Sequence, residues 1–274
     1  MNYIEVAIEI PVDKKYLSEI LMAFLAEVGF ESFSEENNIL LAYISENLYN
    51  PVEVREIIEN YGLRYFAQTI LQKNWNEEWE KNFNPIVIED ILTIKAPFHN
   101  ENLRTRHTVV IEPKMSFGTG HHATTYMMCK LIHEYDFSGS NVLDMGCGTG
   151  ILAIYASLKG AKKVTAIDID EWAYENTVEN AGRNNINNII SIKGDVADIP
   201  KETYNFILAN INLNILKKDI PKYIEHMEKG ALLFLSGFFA SEFVQIEKIC
   251  NLNNAIHIKS IERENWIACI FKKD

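Results

Sequence analysis

Alternating apolar and polar positions divide the chain into a short patterned region, a polar join and a longer α/β region. Tyr3 to Ile10 alternates, with Ile4, Val6, Ile8 and Ile10 on one face and Glu5 and Glu9 on the other. That pattern predicts a half-buried strand, closed by Pro11. From Asp13 onward, Leu17, Ile20, Leu21, Phe24, Leu25 and Val28 recur at helical spacing until Gly29. Phe30 to Phe33 and Ile39 to Ile44 read as two strands about the turn Glu36-Asn37-Asn38. Asn50-Pro51 supplies a cap and a first-turn proline for a helix through Val54, Ile57 and Ile58. Leu63 to Leu71 then completes the β-α-β-β-α-β order of a small ferredoxin-like α+β domain. Trp75, Trp79 and Phe83 fall on one helical stripe and predict a connecting helix.

Beyond the join, Ile86 to Ile94 and Thr108 to Ile111 read as short strands around a polar loop. The stretch Met115 to Thr125, with its glycines, hydroxyls and Phe117, reads as a flexible lid, followed by a helix from Tyr126 to Tyr135. Val142 to Met145 is an apolar run that carries Asp144, crosses Gly146, Gly148 and Gly150, and opens into a helix containing Ile151, Leu152, Ile154, Tyr155 and Leu158. Three more apolar runs end at polar residues: at Asp168, at Gly194-Asp195 and at Asn210. Strands with polar carboxyl ends describe the crevice of an open α/β sheet. A helix from Asn212 to Met227, a strand from Ala231 to Gly237 and a helix from Glu242 to Cys250 follow. Ile256 to Ile261 and Trp266 to Phe271 are joined too closely for anything but an antiparallel pair. The expectation is a mostly parallel, Rossmann-like sheet with one reversed strand near the C-terminus. The boundaries are 1–72 for the first domain, 73–84 for the connecting helix and 85–274 for the second, whose residues 85–125 hold the leading strands and the lid.

Glycine placement narrows the ligand. Dinucleotide folds prefer G-x-G-x-x-G, which needs glycine where Ile151 stands. Here the spacing is G-x-G-x-G with Asp144 two residues ahead, where a carboxylate can approach a cationic ligand. The stretch resembles motif I of class I S-adenosylmethionine-dependent methyltransferases. Asp168, about twenty residues on, suits two ribose hydroxyls. Asp195 suits the adenine amine, and Asp170 a helix N-cap.

Composition adds limits. The chain has 274 residues, 47% of them hydrophobic, and a net charge of −12. Residues 1–62 hold twelve acids against three bases, which repels nucleic acid phosphates and suits a basic partner. An acidic face kept for solubility accounts for the charge equally well. No apolar run reaches spanning length and no signal pattern opens the chain, so the expectation is a cytoplasmic protein away from membranes. Cys129, Cys147, Cys250 and Cys269 are scattered and read as reduced, buried thiols, with Cys147 no nucleophile. Adjacent His121 and His122 lack a third ligand at metal spacing, so no metal is expected.

Three motifs agree on one family. Phe117-Gly118-Thr119-Gly120-His121-His122-Ala123-Thr124-Thr125 is similar to the F-G-T-G-x-H-x-T-T signature of the methyltransferases of large-subunit ribosomal protein eleven. Asp144 to Ile154 and Ala209-Asn210-Ile211 resemble the glycine and A-N-I motifs of that family, and Leu235-Ser236-Gly237 and Arg263-Glu264-Asn265-Trp266 echo it. Asn212-Leu213-Asn214 departs from the Leu-Ala that often follows A-N-I. The resemblance implies methyl transfer from S-adenosylmethionine to lysine side-chain and N-terminal amines of that ribosomal protein, free or ribosome-bound. It implies a small N-terminal domain that holds the substrate and a flexible link that lets one active site reach several amines. It carries cofactor contacts to Thr125, Gly146, Asp168 and Asn210; Phe117, Thr119, Asp144, Gly148 and Asp195 join them as candidates. Asn210 suits three roles, as acceptor orienting the amine, as cofactor contact and as helix cap. No direct nucleic-acid binding is expected, and a monomer is the default. Two alternatives stand beside this reading: a class I methyltransferase acting on another protein, RNA or a small molecule, and a non-catalytic S-adenosylmethionine-binding assembly factor.

Overall fold

The computed structural model describes residues 2–71, 83–100, 103–114 and 116–274. It divides into two compact units, Met1–Asn82 and Phe83–Asp274. The expected connecting helix lies outside the described residues except for Phe83 and Asn84, which are not helical.

In the first unit, β1 (Tyr3–Glu9), α1 (Leu17–Glu27), β2 (Ser32–Glu36), β3 (Ile39–Ser45), α2 (Pro51–Glu59) and β4 (Arg64–Ile70) follow in order. The sheet order is β2-β3-β1-β4 with every pair antiparallel, the ferredoxin-like arrangement. Ile4, Val6 and Ile8 meet Leu21 and Leu25 of α1 and Val54 and Ile58 of α2 in one core. Two boundaries differ from the periodicity. Residues Val12–Lys14 form a 3-10 turn, so α1 starts at Leu17 and Phe24 stays 43% exposed. Phe30 closes the end of α1, donating its N–H to the Leu25 carbonyl at 3.1 Å, so β2 starts two residues later than expected. Asn37 and Asn38 both take positive φ, as the two-residue turn between β2 and β3 demands.

The second unit opens with a three-stranded sheet, β5 (Ile86–Ile88), β6 (Leu92–Lys95) and β7 (His107–Val110). The single strand expected from Ile86 to Ile94 is a hairpin, because Glu89 turns the chain at φ 49°. After α3 (Ala123–His133) comes the main alternation: β8 (Asn141–Met145), α4 (Ile151–Leu158), β9 (Lys163–Asp168), α5 (Glu171–Arg183), β10 (Ile189–Lys193), β11 (Tyr204–Asn210), α6 (Leu213–Glu225) and β12 (Met227–Phe239). The chain closes with α7 (Phe243–Leu252), β13 (Ala255–Arg263) and β14 (Trp266–Lys273). The sheet order is β10-β9-β8-β11-β12-β14-β13, and β14 alone runs against its neighbours. Alternate residues of the central strands serve opposite cores. Val142, Leu208 and Phe234 join Ile132 of α3 and Ile154 of α4, whereas Leu143, Ile207 and Leu233 join Ile220 of α6 and Ile246 of α7. Burial on both faces explains why these strands read as nearly continuous apolar runs. Met227, expected at a helix end, instead starts β12 opposite Tyr204.

Asn180 of α5 and Asn184, its C-cap, fix the leading segment against the sheet. Asn184 Oδ1 accepts the Val110 N–H at 2.8 Å while its Nδ2 donates to the Val110 carbonyl at 2.7 Å. Asn180 Oδ1 accepts from Glu112 N–H at 2.8 Å, and its Nδ2 donates to the Thr149 carbonyl at 2.9 Å. Asn180 is fully buried, so its loss strands backbone groups away from water. Asn180→Ala is therefore expected to lower unfolding free energy by about 2–3 kcal/mol, read as a lower urea midpoint. A midpoint within error of the wild type would show that these bonds do not hold the segment.

Candidate functional site

A cleft of about 570 Å³ opens at the carboxyl ends of β8, β9, β10 and β11. Its floor is the glycine loop between β8 and α4, where Gly146 and Gly148 both take positive φ. A side chain at Gly148 would run into the Phe117 carbonyl oxygen. That close approach fastens two loops. Thr149 donates its N–H to the Phe117 carbonyl at 2.9 Å and its hydroxyl to the Gly118 carbonyl at 2.8 Å. The segment expected to be a flexible lid is thus tied, at Phe117 and Gly118, to the floor it covers.

Asp168, the last residue of β9, is half-buried on the cleft wall. Its Oδ2 accepts the Gly148 N–H at 2.9 Å and its Oδ1 accepts the Asp170 N–H at 3.0 Å. The carboxylate is held still, with lone pairs left over. Asp170 caps α5 through the Trp172 N–H, as its position predicts. Asp195 lines the cleft at the end of β10 and caps the 3-10 turn Val196–Asp198, accepting from Ala197 N–H at 2.8 Å. Asn210 ends β11 in the cleft; its Nδ2 lies 3.5 Å from the Thr125 hydroxyl, and its buried Oδ1 has no hydrogen-bond partner among the described residues.

The opposite wall is aromatic. The His122 ring stands 5.2 Å from Phe117 and 4.8 Å from Trp266, and Phe239 packs on Trp266 at 4.2 Å. His122 also caps α3, accepting from Thr124 N–H at 3.3 Å, which starts the helix three residues before the expected Tyr126. Trp266 is the first residue of β14, delivered by the two-residue turn Glu264-Asn265.

Three candidates fall elsewhere. Asp144, expected to face a ligand, is 1% exposed beneath the loop and outside the cleft lining; its Oδ2 accepts the Ala153 N–H of α4 at 3.0 Å. Strand position sets its depth but not which side of the turn it faces. Thr125 is fully buried and meets the cleft only through Asn210. Thr119 points to a separate shallow depression, 3.2 Å from His121 Nδ1. Cys147 is buried, burial pushes its thiol well above the usual range, and Thr177 donates to its sulfur at 3.3 Å. No spacing rule points to Trp266 or to Asp219 and Tyr223 of α6, which also line the cleft. The motif Arg263-Glu264-Asn265-Trp266 was the one available signal for the first of these.

The sheet order, its single reversed strand and the cleft across β8, β9 and β11 define a class I S-adenosylmethionine-dependent methyltransferase. The family described as Ribosomal protein L11 methyltransferase (PrmA) matches residues 12–274. A protein named Ribosomal protein L11 methyltransferase from Phocaeicola vulgatus is 39% identical over 278 residues, 99% of each chain. One of the same name from Porphyromonas gingivalis is 41% identical over 265 residues, 93% of this chain and 91% of that one. The crystal structure of ribosomal protein L11 methylase from Lactobacillus delbrueckii subsp. bulgaricus superposes with a TM-score of 0.65 at 26% identity, covering 70% of this chain and all of that one. The chain belongs to the ribosomal protein L11 methyltransferase family.

Burial pushes the Asp144 carboxyl up to about 7; the Ala153 N–H opposes this and the Asp168 carboxylate adds to it. An unfolded aspartate titrates near about 3.9. With the folded value above the unfolded one, the stabilising contribution is complete below about pH 4 and lost as pH rises through about 7. The urea midpoint of the wild type is expected to fall between about pH 4 and about pH 7, and Asp144→Asn to flatten that fall. An equally steep fall in the variant would place the titration in another group.

Proposed function

We propose that this protein transfers methyl groups from S-adenosylmethionine to lysine side-chain and N-terminal amines of large-subunit ribosomal protein eleven. The observation that carries the reading is the orphaned Asn210 Oδ1, buried in the same cleft as the fixed Asp168 carboxylate and the glycine floor. These residues fit the cofactor: Gly146 and Gly148 let the backbone come close, Asp168 accepts from ribose hydroxyls, and Asp195 accepts from the adenine amine. Bound there, S-adenosylmethionine supplies a methyl group already activated by its sulfonium.

The chain's own task is alignment and protonation state. Lysine ionises near about 10.4 and attacks only as the neutral amine. Phe117, His122 and Trp266 exclude water from one side of the cleft, and desolvation favours the neutral amine. Asn210 Oδ1 accepts one of the amine's hydrogens and leaves its lone pair free to point at the methyl carbon. Deprotonation precedes transfer, so kcat/KM rises with pH toward the amine's own pKa.

The acidic N-terminal domain, residues 1–72, is the part that holds the basic substrate, with the join at 73–84 letting the catalytic domain reach several amines. No described helix is long and apolar enough to cross a membrane. We place the reaction in the cytoplasm, carried out by a monomer.

The deciding experiment is intact-mass analysis of unmethylated large-subunit ribosomal proteins after incubation with the protein and S-adenosylmethionine. Stepwise 14-Da gains (about one CH2 each) on protein eleven alone, absent with Asp168→Ala, are expected. Cofactor binding without any gain in mass would overturn the substrate. Asn210→Ala is expected to lower kcat about 100-fold while cofactor affinity changes far less; a loss confined to cofactor affinity would make Asn210 a cofactor contact.

A further inference from the structure

The cleft does not stop at Asp195. Each other parallel connection from β8 to β12 carries a helix, but β10 joins β11 through the 3-10 turn Val196–Asp198 alone. Met145 and Ile167, both buried, line the cleft on this side, and it runs on to α6, where Asp219 and Tyr223 line it. Asp219 is 7% exposed and Tyr223 is fully buried. They sit one turn apart on α6. Neither Asp219 Oδ1 nor the Tyr223 hydroxyl has a hydrogen-bond partner of good geometry among the described residues. The two groups nevertheless act on each other: the Asp219 carboxylate adds to burial in pushing the Tyr223 hydroxyl up. Asp219 is raised in turn, first by burial; Lys218 and the neighbouring Tyr223 hydroxyl oppose this, and the Asp195 carboxylate adds to it. Asp195 and Asp219 therefore line one pocket, and the Asp195 carboxylate disfavours charge on Asp219.

A buried acid with a free oxygen destabilises the protein unless a ligand donor meets it. Asp195 Oδ1 already accepts the Ala197 N–H, which leaves chiefly its Oδ2 for one amine N–H. The exocyclic amine of adenine carries two in-plane N–H groups and needs two acceptors. We infer that Asp219, positioned by Tyr223, is a second acceptor for the adenine amine of the cofactor, Asp195 and Asp219 taking one N–H each. The inference rests on the S-adenosylmethionine reading above. It makes α6 part of base recognition, and it turns a group that costs the empty protein stability into one that selects adenine. A 6-oxo purine presents an oxygen where the amine stood, and both acids then face an acceptor.

The test is calorimetric binding of S-adenosylhomocysteine and of its 6-oxo analogue, S-inosylhomocysteine, to wild type, Asp219→Asn and Tyr223→Phe. The wild type is expected to bind the adenosyl ligand at least about 100-fold more tightly. In Asp219→Asn, whose amide can donate to the 6-oxo group, that ratio is expected to fall by about tenfold, with a smaller fall in Tyr223→Phe. Thermal melting of the ligand-free variants guards against misfolding: Asp219→Asn is expected to melt higher than wild type, since a buried charge is removed. An unchanged ratio in Asp219→Asn with wild-type adenosyl affinity would overturn the inference and leave the cofactor reading intact. Failure of the wild type to bind the adenosyl ligand at all would overturn both.

Discussion

One carboxylate sets the geometry of the cleft. Asp168 accepts the Gly148 N–H with one oxygen and the Asp170 N–H with the other, so the end of β9, the glycine loop and the start of α5 share an anchor. The glycine loop in turn carries Thr149, which holds the Phe117-Gly118 segment. Asn180 of α5 holds the Thr149 carbonyl and the Glu112 N–H. Floor, lid and leading segment therefore reach one another through hydrogen bonds to backbone, beside which the surface ion pairs Arg183–Glu112 and Lys114–Glu179 also join the leading segment to α5. Charge-assisted bonds to backbone N–H groups are among the stronger ones available.

Electrostatics separates the acids of the second unit by depth. Asp168 has both oxygens met by donors and keeps room for more. Asp144, one layer down, meets one donor, its carboxyl is pushed up by burial, and it holds the start of α4. The same residue type, two residues apart in the β8–β9 register, takes two different jobs because solvent reaches one and not the other.

The elements most legible in the chain were those whose environment leaves no choice. The apolar runs of β8, β9 and β11, buried on both faces, show in composition alone, and the short connection before Trp266 forces the antiparallel pair. Asp168, Asp195, Asn210, Gly146 and Gly148 were legible because strand ends and glycine spacing fix them, and all five meet in the cleft. What was not legible depends on orientation and on contacts distant in sequence. Glu89 adopts a turn conformation that its side chain does not advertise, which splits one expected strand into β5 and β6. Which way Asp144 faces is decided by the helix start above it. Asp219 and Tyr223 sit on an ordinary amphipathic helix, and only the packing of α6 beside the sheet brings them to the cleft lining.

The reversed strand carries a consequence for assembly. β14 follows both of its neighbours in the chain, yet it lies between them, hydrogen-bonded to β12 on one side and β13 on the other. During synthesis β12 and β13 emerge with a gap between them that only the following strand can fill. Trp266, at the head of that strand, reaches the aromatic wall at the moment the gap closes. Closure of the sheet and completion of the aromatic wall thus depend on one and the same strand, the last of the chain.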